Sequence, residues 1–425
     1  MKATELKAKI AAGALNAYGN LYADTEAQKE RYLAAIDAFC SLYGSDRDIR
    51  LFSVPGRSEI SGNHTDHNHG RVLAGAIDRD IIAVAAKNED GHVRIHSEGY
   101  PEDDVDLARV GDPDAYPRFS SLALIAGTCQ GFLNRGYRVG GFDAYTTTEV
   151  LKGSGISSSA AFEVQCGNIL RYLYNDETVT NETLAKIAQY AENAYFGKPC
   201  GLMDQMACAV GGFLSIDFED PKNPVIEPIR FSLSDAGYKL CIVNTGGNHA
   251  DLNEDYASVP AEMKAVAAAF GKETLRSLSE KEILSALPIL RGTVGDRAIL
   301  RALHFFREND RVEKQTAALQ NGDFPAFLSL VLASGNSSFE YLQNVYTVKN
   351  TAEQGLSLAL CLTDGLLAGK DCAWRVHGGG FAGTIQAFVK REYAEDYRAV
   401  MNHTFGEGAV MTLSVRPVGA TEIVL

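Results

Sequence analysis

YRVGGFDAYTTTEVLKGSGISSSAAFEV, residues 137–164, decides the fold, because it predicts a strand, a turn and a helix in succession. Alternating apolar residues favour the strand, and the apolar spacing from Ser157 to Tyr174 is that of a helix. The glycines between them let the backbone approach an anion, and the free N–H groups and dipole of the helix favour negative charge there. The turn therefore predicts a phosphate site, and an ordinary turn with a serine N-cap is the alternative.

This turn matches neither of the two common nucleotide-binding fingerprints. It lacks the lysine of a G-x-x-x-x-G-K-[ST] loop, and its G-x-G is not followed by x-x-G. The three serines, Ser157, Ser158 and Ser159, offer hydroxyls that can cap the helix, bind phosphate or reach a metal ion.

Composition limits the classes of protein to consider. A length of 425 residues suits two domains, and 46% hydrophobic with 22% charged residues is typical of a folded soluble protein. The net charge of −14 disfavours nucleic acid or an anionic membrane as a partner. The eight cysteines include no C-x-x-C pair, and neither a signal peptide nor an apolar run of membrane-spanning length stands out, so we predict a cytoplasmic protein with reduced thiols.

Periodicity along the rest of the chain predicts an α+β fold in two lobes. The first fifty residues have helical spacing, and IRLFSVPGR and DIIAVAAKN are β-branched, apolar runs typical of strands. GGFLSIDF and YKLCIVNTG predict further strands, residues 253–369 are mainly helical, and the tail returns to strands. We place the boundary near residue 245, which gives an N-terminal lobe of residues 1–245 and a C-terminal lobe of residues 246–425.

A polar loop follows the first predicted strand. GNHTDHNHG, residues 62–70, holds three histidines, two asparagines and one aspartate, a density that a buried core does not need. One interpretation is a pocket floor whose His64 and Asp66 bind vicinal hydroxyls. The alternatives are a metal site formed by His64, Asp66, His67 and His69, and a plain surface loop.

Two further segments carry candidate functional groups. CGLMDQMACAVGG sets Asp204 among apolar residues, where a carboxylate is paired, functional or a helix N-cap. An arginine such as Arg57 would keep it ionised and would also contact a phosphoryl group. WRVHGGGFAGTIQAFV, residues 374–389, predicts either a β-hairpin or a glycine-rich loop over a bound sugar and phosphate.

In this order, the four segments resemble the galactokinase branch of the GHMP small-molecule kinases. The opening signature of that family, GRxNxxGEHTDYNGG, corresponds here to GRSEISGNHTDHNHG, and its PxGxGLSSSAA motif corresponds to LKGSGISSSAA. Its GxxCGxMDQ stretch corresponds to GKPCGLMDQ, and its TGAGxGG loop to HGGGFAG. The resemblance covers the chain from about Val54 to Phe388.

The resemblance implies a two-lobed GHMP kinase fold, with mixed sheets and helices and the active site between the lobes. It implies an ATP-dependent, Mg²⁺-requiring kinase that phosphorylates the anomeric C1 hydroxyl of galactose to galactose 1-phosphate. The residues it assigns are Asp204 and Arg57 as catalytic; Asn63, His64, Asp66, Gly201 and Tyr256 as sugar-binding; Gly153, Ser154, Gly155, Ser157, Ser158 and Ser159 as binding the ATP phosphates; and Ser159 and Glu192 as metal ligands.

The departures from the family pattern fall on the side of the site that faces the sugar. The signature glutamate that helps hold the sugar is Asn63, the tyrosine is His67, and the threonine of the last motif is His377. Alternative functions are therefore kinases of arabinose, galacturonate or N-acetylgalactosamine, a non-catalytic regulator that binds sugar and ATP, and, more distantly, a metal-dependent hydrolase. The expected partners are a small sugar and ATP, without nucleic acid or membrane.

Overall fold

A computed structural model describes residues 1–22, 24–150, 155–176, 178–198, 200–247 and 252–425. Gly153 and Ser154, two of the residues assigned to the phosphate turn, lie outside the described residues.

Helices and strands come in runs along the described part of the chain. The α-helices, α1 to α13 in chain order, are Ala3–Ala11, Thr25–Tyr43, Ser121–Leu133, Ser158–Tyr174, Asn181–Tyr190, Met203–Val210, Asn253–Ala269, Glu280–Ser285, Leu287–Thr293, Asp296–Gln320, Phe324–Ser337, Gly355–Leu367 and Ala394–Phe405. The strands, β1 to β12, are Arg50–Ser61, Arg71–Lys87, His92–Ser97, Asp103–Asp106, Phe142–Thr148, Phe213–Asp217, Val225–Ile229, Tyr238–Asn244, Ala373–His377, Thr384–Lys390, Val410–Leu413 and Thr421–Ile423.

The larger sheet has eight strands, and its centre is the antiparallel pair β1 and β2. Strand order is β12-β1-β2-β5-β3-β4, with β6 also on β2 and β7 on β6. The register between β1 and β2 shifts between Pro55 and Arg57 and again between Glu59 and Ser61. Such irregularities bend a strand and redirect its side chains, and this part of β1 carries the candidate site.

The smaller sheet has four strands in the order β11-β8-β10-β9. Strand β8 precedes residue 245 in sequence yet pairs here, and β12 returns from the end of the chain to β1 in the larger sheet. The two sheets are therefore not made from two continuous halves of the chain, and the lobe boundary near residue 245 stays a prediction.

Both faces of the larger sheet are covered by helices. Helices α4 and α6 pack against β1 and β2, and α2 packs on the opposite face against β2 and β5. Because it is covered on both sides, β2 is an almost continuous apolar run rather than an alternating one. Within the described residues, none of the helices combines the length and apolarity that crossing a membrane requires. The α+β architecture agrees with the prediction.

Candidate active site

A cleft of about 610 Å³ lies where the polar loop after β1, the start of α6, helix α7 and the loop between β9 and β10 meet. Its lining combines ionisable and polar side chains with glycines, namely Glu59, Gly62, Asn63, His64, Asp66, His67, Val72, Lys198, Cys200, Gly201, Met203, Asp204, Tyr256 and Gly379. A concave site with several convergent polar groups is the usual form of a small-molecule site.

Asp204 and Arg57 form a bidentate ion pair at one end of this cleft. Arg57 Nε lies 2.7 Å from Asp204 Oδ1, and Arg57 Nη2 lies 2.8 Å from Asp204 Oδ2. Asp204 is in the first turn of α6, where the helix dipole favours negative charge. Its side chain remains one-third exposed (33%), whereas that of Arg57 is only 10% exposed. The carboxylate is therefore held by the arginine and still open to the cleft.

The same arginine fixes the phosphate turn. Arg57 Nη1 donates to the Gly155 carbonyl at 2.7 Å, and the Arg57 backbone N–H donates to the Ile156 carbonyl at 3.1 Å. Gly56 permits this close approach, because a Cβ at that position would lie 2.7 Å from the Ile156 oxygen. Ser157 follows in the left-handed region, with φ of 63°, and its hydroxyl donates to Asp204 Oδ2 at 2.5 Å. The turn and the candidate catalytic pair are thus one connected unit.

The assigned metal ligands also lie side by side. Helix α4 begins at Ser158, and the Ser159 hydroxyl donates to Glu192 Oε1 at 3.4 Å. Gln205 Nε2 donates to Glu192 Oε2 at 2.6 Å, and Lys198 Nζ lies 3.3 Å from Oε1. A hydroxyl and a carboxylate are oxygen ligands of the kind that Mg²⁺ prefers, and bound phosphates and water usually complete its shell.

The sugar-assigned residues line the same cleft. Asp66 lies beside Gly201, where a Cβ would approach Asp66 Oδ2 to 2.9 Å. His64 has a φ of 60°, and its Nε2 donates to the Gly379 carbonyl at 2.9 Å. Tyr256, on α7, donates to the Gly380 carbonyl at 2.8 Å. The glycine-rich loop between β9 and β10 is therefore tied to the polar loop and to α7.

Asn63 also borders the cleft, but its side chain is occupied by protein. Its amide nitrogen donates to Glu59 Oε1 at 2.9 Å and to the Gly378 carbonyl at 2.8 Å. Its amide oxygen accepts from Asn344 Nδ2 at 2.7 Å and from Ser338 Oγ at 3.3 Å.

The pKa values of the two carboxyl groups near Arg57 are shifted in opposite directions. Burial acts to raise the pKa of Asp204, but Arg57 and the Ser157 hydroxyl outweigh it and hold that pKa below its usual value. Burial raises the pKa of Glu59, against the opposing effect of Arg375 and Arg57. Burial also lowers the pKa of His64 to about 4, which keeps its ring neutral at pH 7.

Lys198, Glu59 and the bond from Ser157 to Asp204 are features that the sequence reasoning did not assign. Lys198 belongs to the GKPCGLMDQ stretch, so its position beside a matched motif was the available signal. As for the metal alternative in the polar loop, the described residues contain no group of three or more His, Cys, Asp or Glu side chains arranged to hold an ion. His67 is exposed, and its Nε2 is 3.8 Å from Asp66 Oδ1.

Comparisons with known proteins identify the family of the chain. A family profile described as "Galactokinase galactose-binding signature" matches residues 37–87, and one described as "GHMP kinases N terminal domain" matches residues 123–212. The galactokinase of Streptomyces coelicolor is 32% identical over 359 residues, covering 83% of this chain and 88% of the relative. Human galactokinase is 28% identical, covering 91% of this chain and 95% of the relative.

Solved structures share the fold. A Lactococcus lactis galactokinase complexed with galactose superposes with a TM-score of 0.76 at 24% identity, covering 91% of this chain and 98% of that one. A mevalonate kinase structure gives a TM-score of 0.60 at 14% identity, covering 86% and 98%. The chain belongs to the galactokinase branch of the GHMP kinases.

Proposed function

We propose that the protein is an ATP-dependent kinase that transfers the γ-phosphoryl group to the anomeric C1 hydroxyl of galactose. The observation that carries the proposal is the bidentate Arg57–Asp204 pair, which joins the phosphate turn through Ser157 and Gly155 and lines the polar cleft. A transferable phosphoryl group and an acceptor hydroxyl can meet at this carboxylate.

In the reaction, Asp204 takes the proton of the C1 hydroxyl, or orients that hydroxyl, as its oxygen attacks the γ-phosphorus. A bond forms between that oxygen and the γ-phosphorus, the bond from the γ-phosphorus to the β–γ bridging oxygen breaks, and ADP leaves. Arg57 keeps Asp204 ionised and faces the charge on the transferred group. Positioning and electrostatic stabilisation supply most of the rate in phosphoryl transfer.

We assign the ATP phosphates to the turn and the start of α4, where Gly155, Ser157, Ser158 and Ser159 present backbone N–H groups and hydroxyls. Gly153 and Ser154 keep the same assignment from sequence alone. Ser159 and Glu192 would hold Mg²⁺, which when bound neutralises charge on the β- and γ-phosphates. Lys198, beside Glu192, adds a positive charge close to the same phosphates.

The charges in the cleft favour a neutral sugar over a sugar acid. Glu59, Asp66 and Asp204 all line it, Arg57 is already paired with Asp204, and Lys198, the lysine in the lining, is paired with Glu192. A hexuronate would bring a fourth carboxylate into this partly buried space, and like charges repel strongly where water is excluded. Galactose and other neutral sugars carry no such cost. The alternative of a non-catalytic regulator is disfavoured because the Arg57–Asp204 pair is complete.

A coupled ADP-release assay tests the proposal. We expect turnover with galactose, weaker turnover with arabinose and N-acetylgalactosamine, and none with galacturonate. Phosphorus NMR of the product should show an ester at C1. ATP turnover with galacturonate but not galactose, or a phosphate on another hydroxyl, would overturn the assignment.

A further inference from the structure

The polar loop and the strand before it contain a reciprocal exchange of two residue types. The family signature GRxNxxGEHTDYNGG has asparagine in its fourth position and glutamate in its eighth. In GRSEISGNHTDHNHG the fourth position is Glu59 and the eighth is Asn63. The carboxylate that is missing at residue 63 is therefore present four residues earlier, on β1.

The two exchanged side chains contact each other. Asn63 Nδ2 donates to Glu59 Oε1 at 2.9 Å. The orientation of the Asn63 amide is fixed, because a flip would turn its oxygen towards the Glu59 carboxylate and the Gly378 carbonyl. With two donors and two accepted bonds, its hydrogen-bonding capacity is filled by protein. Asn63 has no atom left for a sugar hydroxyl.

Glu59 is in the opposite situation. It lines the cleft, and among the described residues no donor reaches its second oxygen, Oε2. Arg375 Nη2 lies 3.9 Å from Oε1 and makes no hydrogen bond within the described part of the chain, so it supplies a counter-charge without occupying Oε2. Oε1 of Glu59 is thus held 2.9 Å from an amide whose hydrogen bonds are all used. Oε2 is available to accept a hydrogen bond from a ligand.

We propose that Glu59 binds a hydroxyl of the sugar through Oε2, and that Asn63 is the residue that positions it. The inference rests on the proposed function, since it names a sugar contact in the same cleft. Glu59 and Arg57 are two residues apart on β1. The strand that contacts the sugar would therefore also position Asp204, through Arg57. The exchange would preserve one carboxylate for the sugar while moving its attachment from the loop to the strand.

The exchange predicts how the single and double substitutions at residues 59 and 63 will differ. Asn63→Glu alone places a second carboxylate against Glu59 and against the Gly378 carbonyl, so like groups oppose each other at two contacts. Glu59→Asn with Asn63→Glu restores one carboxylate and one amide in the family order. The double variant should therefore have a higher kcat/KM for galactose than the single variant Asn63→Glu, although it contains one more substitution.

The test compares Glu59→Gln, Asn63→Glu and the double variant with wild type. Glu422→Gln is the matched control, because Glu422 is a carboxylate of the same sheet with a side chain as little exposed as that of Glu59, and it pairs with Arg50 at the far end of β1. Steady-state kinetics give kcat and the KM values for galactose and ATP, and calorimetry gives the galactose Kd without ATP. Inhibition by galacturonate is measured on each protein, and thermal unfolding reports whether each variant is folded.

For Glu59→Gln we expect the galactose KM and Kd to rise by about 10- to 100-fold, the range for one charge-assisted hydrogen bond. The ATP KM should stay unchanged, and galacturonate should inhibit more strongly because a repelling charge is gone. That opposite effect on the two ligands is not expected of a purely structural residue. The double variant should recover at least about tenfold in kcat/KM over Asn63→Glu.

The proposal is overturned if Glu59→Gln matches Glu422→Gln in galactose KM and Kd, or if only its kcat falls. If Asn63→Glu does not fold, the ligand comparison on Glu59→Gln decides alone. Failure of the proposed function is a separate result, because wild type would then release no ADP with galactose.

Discussion

Two walls of the cleft differ in how their polar groups are held, although both start from strand β1. On the phosphoryl-transfer wall, Arg57 contacts Asp204 directly through two hydrogen bonds, and the residues match the family signature. On the sugar wall, Glu59 and Asn63 belong to a network that reaches Ser338, Asn344 and Gly378. A direct bidentate pair leaves no substitute for either partner, whereas in a network an amide and a carboxylate can exchange positions.

The largest effect should come from the first wall. Asp204→Asn removes the acid nearest the acceptor and should lower kcat by about 10²- to 10⁴-fold, the range for general base catalysis, while galactose and ATP still bind. Rapid-quench kinetics under single-turnover conditions measure the chemical step, and calorimetry measures the two affinities. Near-wild-type turnover would show that Asp204 takes no part in the chemistry.

The second effect belongs to the sugar wall. Asp66→Ala removes a carboxylate that lies beside Gly201 in the cleft. If it accepts a sugar hydroxyl, the loss is about 1.5–3 kcal/mol per bond, or about 10- to 100-fold in galactose KM, with the ATP KM preserved. Asp235→Ala, an exposed carboxylate outside the cleft lining, is the control. An equal loss in both variants would mean that Asp66 makes no particular contact with the sugar.

The difference between the walls also explains what sequence reasoning could reach. The strand of Arg57, the turn and the helix from Ser158 follow from local patterns, whereas the pairing of Arg57 with Asp204, 147 residues away, was expected from the match to the family motifs. The saturation of Asn63 does not, because its partners Ser338, Asn344 and Gly378 are 275, 281 and 315 residues away in sequence. The exchange itself is visible in the signature, because Glu59 stands where the family has asparagine, but only the folded network shows that Glu59 and Asn63 contact each other.

The fold was predicted unevenly for a similar reason. The helix-to-strand change at residue 50 and the return to strands in the tail were visible as changes of period. Strands β3 and β4 and helix α3 were not predicted: β4, at the edge of the sheet, is only four residues long, and α3 is buried on most of its surface. A helix that is apolar all round lacks the polar face that makes periodicity visible.

A third, smaller effect tests the far side of the phosphate turn. Glu192→Gln and Ser159→Ala should each raise the Mg²⁺ concentration needed for half-maximal activity by about tenfold, a typical cost of weakening one contact to a metal site, with the galactose KM little changed. A magnesium titration at saturating substrates measures this, with Glu182→Gln, an exposed carboxylate on α5, as the control. An unchanged magnesium dependence in both variants would place the metal elsewhere.

The smallest effect compares the two walls through their pKa shifts. The pKa of Asp204 lies below its usual value because Arg57 and Ser157 outweigh burial, whereas burial raises the pKa of Glu59. Arg375 on β9, Arg57 on β1 and the hydrogen bond that Asn63 donates to Glu59 all oppose that rise in pKa. The negative charge of Asp66 adds to the rise. As pH falls, Glu59 should therefore gain a proton before Asp204 does, and Oε2 should lose its charge as an acceptor.

Since kcat/KM reports the free enzyme, its acid limb for galactose should follow Glu59 in wild type. In Glu59→Gln the limb should move to lower pH, where Asp204 titrates, although the plateau is lower. The ATP KM should show no such limb, and thermal unfolding at each pH confirms that the proteins remain folded. An acid limb that stays in place in Glu59→Gln would mean that Glu59 is not ionised against the sugar, and that the two walls do not titrate separately.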